Sequence, residues 1–288
     1  MRKRISEQNN FPQFDLYKEY RKIEILMSER KTIGVYNNWG KFIKDYFTIE
    51  EYIEYVCFNN WNLRGTFTSI KEMREELGIA KTDLAIKSIN EDIFLDFLQY
   101  VLNCIFRATQ SMKHASQSLF SDDTIVTMLW DNIENLVCKL QCKINFDKEN
   151  QEFFILYNNS VAETVSANHS DIEESISEYN MIDNRGDLSR KAEILCTLYK
   201  KLESYASDFK GTTYEKLYDD TKFLFNKSGI RHNVEKDKIA CETFLKMDKV
   251  MLEEWYDKIF NMFLSCMVVN TYLKNKPYIE DIKKGIKP

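Results

Sequence analysis

Residues Ser228-Gly229-Ile230-Arg231-His232-Asn233 set a guanidinium, an imidazole and a carboxamide in succession between two helical patterns. The chain has three histidines in all, so one placed beside an arginine narrows where proton transfer can occur. An imidazole with an ordinary pKa of about 6.5 exchanges a proton near neutrality, an arginine fork fits phosphate oxygens, and an asparagine orients the ring or bonds a phosphate oxygen. Asn226-Lys227-Ser228-Gly229 reads as a helix end, because glycine takes the left-handed conformation after a last turn. Arg231, His232 and Asn233 then open the next unit, where unpaired backbone N–H groups favour an anion such as a phosphodiester. The trio suits phosphodiester cleavage. It equally suits an arginine paired with a carboxylate, a histidine bonded to backbone and an asparagine serving as N-cap.

A second pairing is Arg107 with His114, since a step of seven residues returns almost to the same helix face and lets both side chains converge on one ligand. The third histidine, His169, sits in the polar turn Ser166-Ala167-Asn168-His169-Ser170-Asp171 and reads as solvent-exposed. Cys138 and Cys142 lie four apart without a supporting pair for a tetrahedral metal site, and seven dispersed cysteines fit reduced thiols in a cytoplasmic protein. No metal and no cofactor are expected. The His-Glu-x-x-His pattern, a phosphate-cradling glycine loop and a glycine-flanked serine are all missing. Trp255-Tyr256 reads as core or subunit packing on a helix that continues into the Met-rich run from Met262 to Met267.

The elements that must hold these groups are mostly helices. Glycine and proline are scarce, eight and three in 288 residues, and an apolar fraction of 44% is that of an ordinary globular chain. A net charge of −5 gives no global pull toward nucleic acid, so RNA would need a local basic patch. Arg2-Lys3-Arg4 and five lysines against two acids beyond Thr271 provide such patches, which also fit solvated tails. The start has no apolar core of signal-peptide length, and the run from Met262 to Val269 is far short of a membrane span.

Phe14–Arg30 carries Leu16, Tyr20, Ile23 and Met27 on one helical face, followed by a turn at Gly34 and Asn37-Asn38-Trp39-Gly40. Thr48 and Glu51 form a capping box, Thr68-Ser69-Ile70-Lys71-Glu72 starts a short helix that Gly78 ends, and the body from Ile93 to Phe106 is apolar on most faces. After a helix beginning near Asp122, period-two alternation between residues 140 and 157 predicts a single β-hairpin. Helices follow over Ser170–Tyr179, Asp187–Phe209, Tyr214–Phe225 and roughly Lys238–Leu273. The predicted fold is mainly α: a helical bundle with a small helical N-terminal region over 1–90 and a bundle domain over 91–288 containing the hairpin.

From about Asp171 to Leu273 the chain resembles HEPN domains, the helical nucleotide-binding and ribonuclease modules of bacterial abortive-infection and toxin systems. The residues that carry the resemblance are Gly186-Asp187-Leu188-Ser189-Arg190-Lys191 through Leu202-Glu203, Ile230-Arg231-His232-Asn233, and Leu252-Glu253-Glu254-Trp255-Tyr256-Asp257. It implies an α-bundle, usually dimeric, in which an arginine and a histidine at the subunit interface cut RNA without metal. A neutralising or sensor protein partner belongs to the same expectation. The family spaces the two residues by four to six positions, whereas Arg231 and His232 are adjacent. Lys227 stands where the spaced cation would be, and Arg107 with His114 approaches that spacing outside the resembling region. The alternative is a non-catalytic helical module that engages a protein partner or a nucleotide.

Overall fold

A computed structural model of the chain describes residues 15–36, 42–81, 89–113, 124–230 and 242–285. The chain divides into two compact units, Met1–Tyr157 and Asn158–Pro288.

In the first unit the spacing of Tyr20, Ile23 and Met27 gives α1 (Leu16–Met27) a fully buried face, and Asp15 caps it by accepting from the Lys18 N–H at 3.2 Å. Strands β1 (Lys31–Tyr36) and β2 (Phe42–Phe47) pair antiparallel, with Lys31 opposite Phe47 and Tyr36 opposite Phe42. Helix α2 (Ile49–Val56) opens on the expected capping box: the Glu51 N–H donates to Thr48 Oγ1 and the Thr48 N–H to Glu51 Oε2. Helix α3 (Ile70–Glu76) is capped by Ser69 and stops at Gly78, whose φ of +70° a side chain would strain.

The centre of this unit is α4 (Glu91–Lys113), on which Phe94, Leu95, Phe97, Leu98, Val101, Leu102 and Cys104 are wholly buried. Helices α1 and α2, helix α5 (Thr124–Lys139) and the hairpin all pack on α4. The hairpin pairs β3 (Cys142–Asp147) with β4 (Glu152–Tyr157), Asp147 opposite Glu152. Two carboxamides on α4 satisfy β4 backbone groups: Asn103 exchanges bonds with Phe153 N–H and C=O, and Gln99 Oε1 accepts from the Ile155 N–H at 2.7 Å. The rings of Phe106 and Trp130 meet Phe153 edge-on, as Phe106 does Phe146, and Phe146 and Phe153 pack tilted at 4.8 Å.

The second unit consists of α6 (Ser160–Asn168), α7 (Glu173–Tyr179), α8 (Leu188–Glu203), α9 (Ala206–Phe209), α10 (Glu215–Lys227), α11 (Glu242–Leu245) and α12 (Lys249–Gly285). Helix α12 is its axis: α6, α8 and α10 pack on it, burying Ile259, Phe263, Leu264, Cys266 and Met267. The stripe Ile194, Leu195, Leu198 and Leu202 of α8 meets that face.

The architecture is mainly helical, with the hairpin at 142–157 where period-two alternation predicts it. Residues 31–36 differ from expectation, forming with 42–47 a further pair of antiparallel strands where a turn at Gly34 was predicted; the rest of that predicted turn, residues 37–40, lies outside the described residues. The division falls after Tyr157 rather than near Asn90, because α4 buries its faces against α1 and α2, which precede that point. The expected last helix over 238–273 is broken before Asp248, which caps α12 by accepting from the Met251 N–H, and α12 then runs through Pro277 to Gly285.

Candidate functional site

The chain enters the Arg231-His232-Asn233 segment from a firmly held point. Helix α10 ends at Lys227, the Ser228 N–H closes the last turn on the Leu224 carbonyl at 2.9 Å, and Gly229 turns the chain at φ +82°. Ile230 is then buried in the same core as the α8 stripe and Phe260. Beyond the segment, Phe244 is buried and packs edge-on against Trp255 at 5.6 Å. Both flanks of residues 231–241 are therefore seated on the second unit.

Lys227 lies half-buried in the last turn of α10, where an ammonium offsets the partial negative charge of the helix end. The adjoining Ser228 hydroxyl is buried without a hydrogen-bond partner among the described residues. Arg231, His232 and Asn233 themselves, and His114, lie outside the described residues. Arg107 belongs to the first unit, on α4, and Lys227 to the second, on α10.

Between α7, α8 and α12 of the same unit runs a polar clasp that sequence reasoning missed. The Lys191 ammonium, with its side chain 7% exposed, bonds Glu253 at 2.8 Å and Asp257 at 2.9 Å, and it lies 5.3 Å from the centre of the Tyr179 ring. The Tyr179 hydroxyl donates to the same Asp257 oxygen, and the Gly186 N–H donates to Glu253 at 2.8 Å. Burial opposes ionisation of Glu253, but the bonds from Lys191 and Gly186 outweigh it and hold the carboxyl below its usual range. Burial, then the Asp257 charge, pushes the Tyr179 phenol well up, so it stays a donor. One sequence signal was available: Lys191 falls in phase with Leu188, Leu195, Leu198 and Leu202, a charge on the face that must be buried.

His169 also differs from expectation, being 8% exposed rather than open to solvent. It ends α6 and reaches α12 and the end of α8, with Nε2 3.2 Å from Thr271 Oγ1 and Nδ1 3.5 Å from the Tyr205 hydroxyl. Lys201 and Lys274 sit 5.0 and 4.2 Å from the Tyr205 ring centre, and Lys201 is tied to Asp171 at 2.6 Å. Burial first, then these two ammoniums, push the imidazole below its usual range. The neutral ring is a docking piece.

In the first unit Arg74 is saturated. It bonds Glu50 at 2.6 Å, Glu24, the Tyr20 hydroxyl at 3.0 Å and the Ile79 carbonyl at 3.1 Å, while Lys81 and Tyr100 complete Glu50. Cys138, at the exposed end of α5, and Cys142, in β3, are on different elements, and among the described residues no group of His, Cys, Asp and Glu side chains is arranged to hold a metal ion. Among the described residues no helix is long and apolar enough to cross a membrane. No family profile, no curated protein and no solved structure matches this chain.

Proposed function

We propose that the chain is a metal-independent endoribonuclease of the HEPN kind, acting in bacterial defence as an abortive-infection or toxin component. One observation supports this above others. The three stretches that carry the resemblance, 186–203, 230–233 and 252–257, lie far apart in sequence, yet described residues from all three meet in a single helical core. Ile230 packs in the cluster that holds Leu195, Leu198 and Tyr256, and Lys191 and Gly186 bond Glu253.

In this reading His232 takes the proton from an RNA 2′-hydroxyl, whose oxygen attacks the adjacent phosphorus. The bond to the 5′-oxygen breaks, and that oxygen leaves with a proton returned to it by an acid. Arg231 stabilises the charge gathered on the phosphoryl oxygens, Asn233 orients the ring or the phosphate, and Lys227 adds a cation nearby. The products carry a 2′,3′-cyclic phosphate and a 5′-hydroxyl. The active form is a homodimer, held in check by a protein partner.

End-group analysis of RNA incubated with the purified chain in EDTA tests the reaction type. Fragments ending in 2′,3′-cyclic phosphate are expected. Fragments ending in a 3′-hydroxyl, or cleavage that EDTA stops, would contradict it.

A further inference from the structure

The first unit carries a second place with chemistry, built from other elements than the proposed nuclease segment, and the inference drawn from it does not depend on that reading. A cavity of about 440 Å³ opens where the turn at 58–64, helix α4 and the tip of the β3–β4 hairpin meet. That volume lies within the range of small-molecule sites, roughly 300–1,000 Å³.

Its wall is polar in a particular way. Asn60, Asn62 and Gln110 present carboxamides, Arg107 a guanidinium and Glu152 a carboxylate, beside the indole of Trp61. A carboxamide offers an acceptor and a donor on one planar edge, the pattern that pairs with the edge of a nucleobase. A carboxylate accepts from a vicinal diol, as it does from ribose in dinucleotide sites.

Arg107 decides the charge of the ligand. Its Nη2 donates to the Asn60 carbonyl at 2.6 Å, and among the described residues its buried Nε has no hydrogen-bond partner and no carboxylate lies within ion-pair distance of it. Arg74 and Arg190, by contrast, are each bonded to two carboxylates. A half-buried guanidinium with no counter-ion among the described residues, at a cavity wall, calls for an anion, and its planar fork matches phosphate.

The supports are built before any ligand arrives. The face of α4 opposite Arg107 is core. At the hairpin tip Asp147 Oδ1 accepts from the Glu149 and Asn150 N–H groups at 2.7 and 3.1 Å, and Asn62 reaches the Asn150 carbonyl at 3.5 Å.

We infer that this cavity binds a ribonucleoside monophosphate, with the phosphate on Arg107, the base edge on the carboxamides of Asn60, Asn62 and Gln110, and the ribose hydroxyls toward Glu152. A free amino acid would use the guanidinium but leave the carboxamides without a matching edge.

Calorimetric titration of the full chain with AMP, GMP, CMP and UMP tests this, with the corresponding nucleosides, inorganic phosphate and free amino acids as separate arms. Saturable binding of at least one monophosphate is expected, with its nucleoside at least tenfold weaker. Arg107→Gln is expected to weaken binding about ten- to hundredfold, the worth of a charge-assisted pair. Asn62→Asp, at an exposed position, is expected to weaken it several-fold by removing an amide donor from the base edge and adding a negative charge to a cavity that takes an anion, and serves if the first variant fails to fold. The inference is overturned if no monophosphate saturates the wild-type chain at millimolar concentration, if whichever of these variants folds binds as the wild type does, or if an amino acid binds more tightly than every monophosphate. A chain that cleaves RNA but binds no monophosphate, or the reverse, separates this inference from the nuclease reading.

Discussion

Replacing Lys191 by alanine removes the cation that closes the clasp and leaves two carboxylates facing one another. At 2.8 Å and an effective dielectric constant of about 20, each pair has a gross attraction of about 6 kcal/mol, most of which desolvation cancels. Breaking a buried pair by removing one partner costs about 3–5 kcal/mol. Asp257 is 50% exposed and water takes over part of its solvation, whereas Glu253 is 24% exposed and loses more. The expected loss is therefore about 2–4 kcal/mol, confined to the second unit. Urea unfolding followed by tryptophan emission reads it, since Trp255 is the one tryptophan between residues 158 and 288. Lys191→Ala should lower the midpoint of the transition that Trp255 reports without changing its slope. Adding Glu253→Gln should recover part of the loss, a coupling of about 1–3 kcal/mol between the two positions. A midpoint within about 0.5 kcal/mol of wild type, or strictly additive effects, would refute the clasp as the link between α8 and α12.

Arg74→Met should destabilise the first unit by about 3–5 kcal/mol in the same assay, since it strands Glu24 and Glu50 in the interior; an unchanged transition would count against the network. Burial opposes ionisation of Glu50, but Arg74 and Lys81 outweigh it and hold its carboxyl low. That stabilisation is therefore present above the ordinary glutamate pKa and lost as pH falls through the lower folded value. His169, flanked by Lys274, Lys201 and Asp171 and bonded to Tyr205, also has its folded pKa below the unfolded one. Its contribution is complete above about pH 6.5 and is lost as pH falls below it, so stability of the second unit should decline from pH 7 to 5. His169→Gln should flatten that decline. An NMR titration placing the His169 pKa above 6.5 would contradict the docking role.

What could be read from the residues were features written locally. The Thr48–Glu51 capping box, the short helix started in the run Thr68–Glu72 and ended at Gly78, the apolar body of α4 and the period-two pattern of β3 and β4 each depend on neighbours within one or two turns, and each is present as expected. The β1–β2 hairpin was not legible because Gly34 and the Asn-Asn-Trp-Gly run between the strands outweigh the short apolar alternation. The boundary near Asn90 failed for a tertiary reason, since composition changes there while the core of α4 reaches back to α1. His169 was misread because its partners Tyr205 and Thr271 are 36 and 102 residues away. Lys191 was legible in phase but not in purpose, for its carboxylates lie on α12. Arg107 was singled out for its spacing to His114; the cavity it lines depends on a turn and a hairpin tip that helical spacing does not contain.

The most direct test is RNA cleavage by the purified full chain in EDTA, compared between wild type and His232→Ala at matched helical circular dichroism. Wild-type cutting that the variant loses by a thousandfold or so, about the contribution of one acid–base group, is the predicted result. Equal cutting by both, or none by the wild type, would contradict the proposed function.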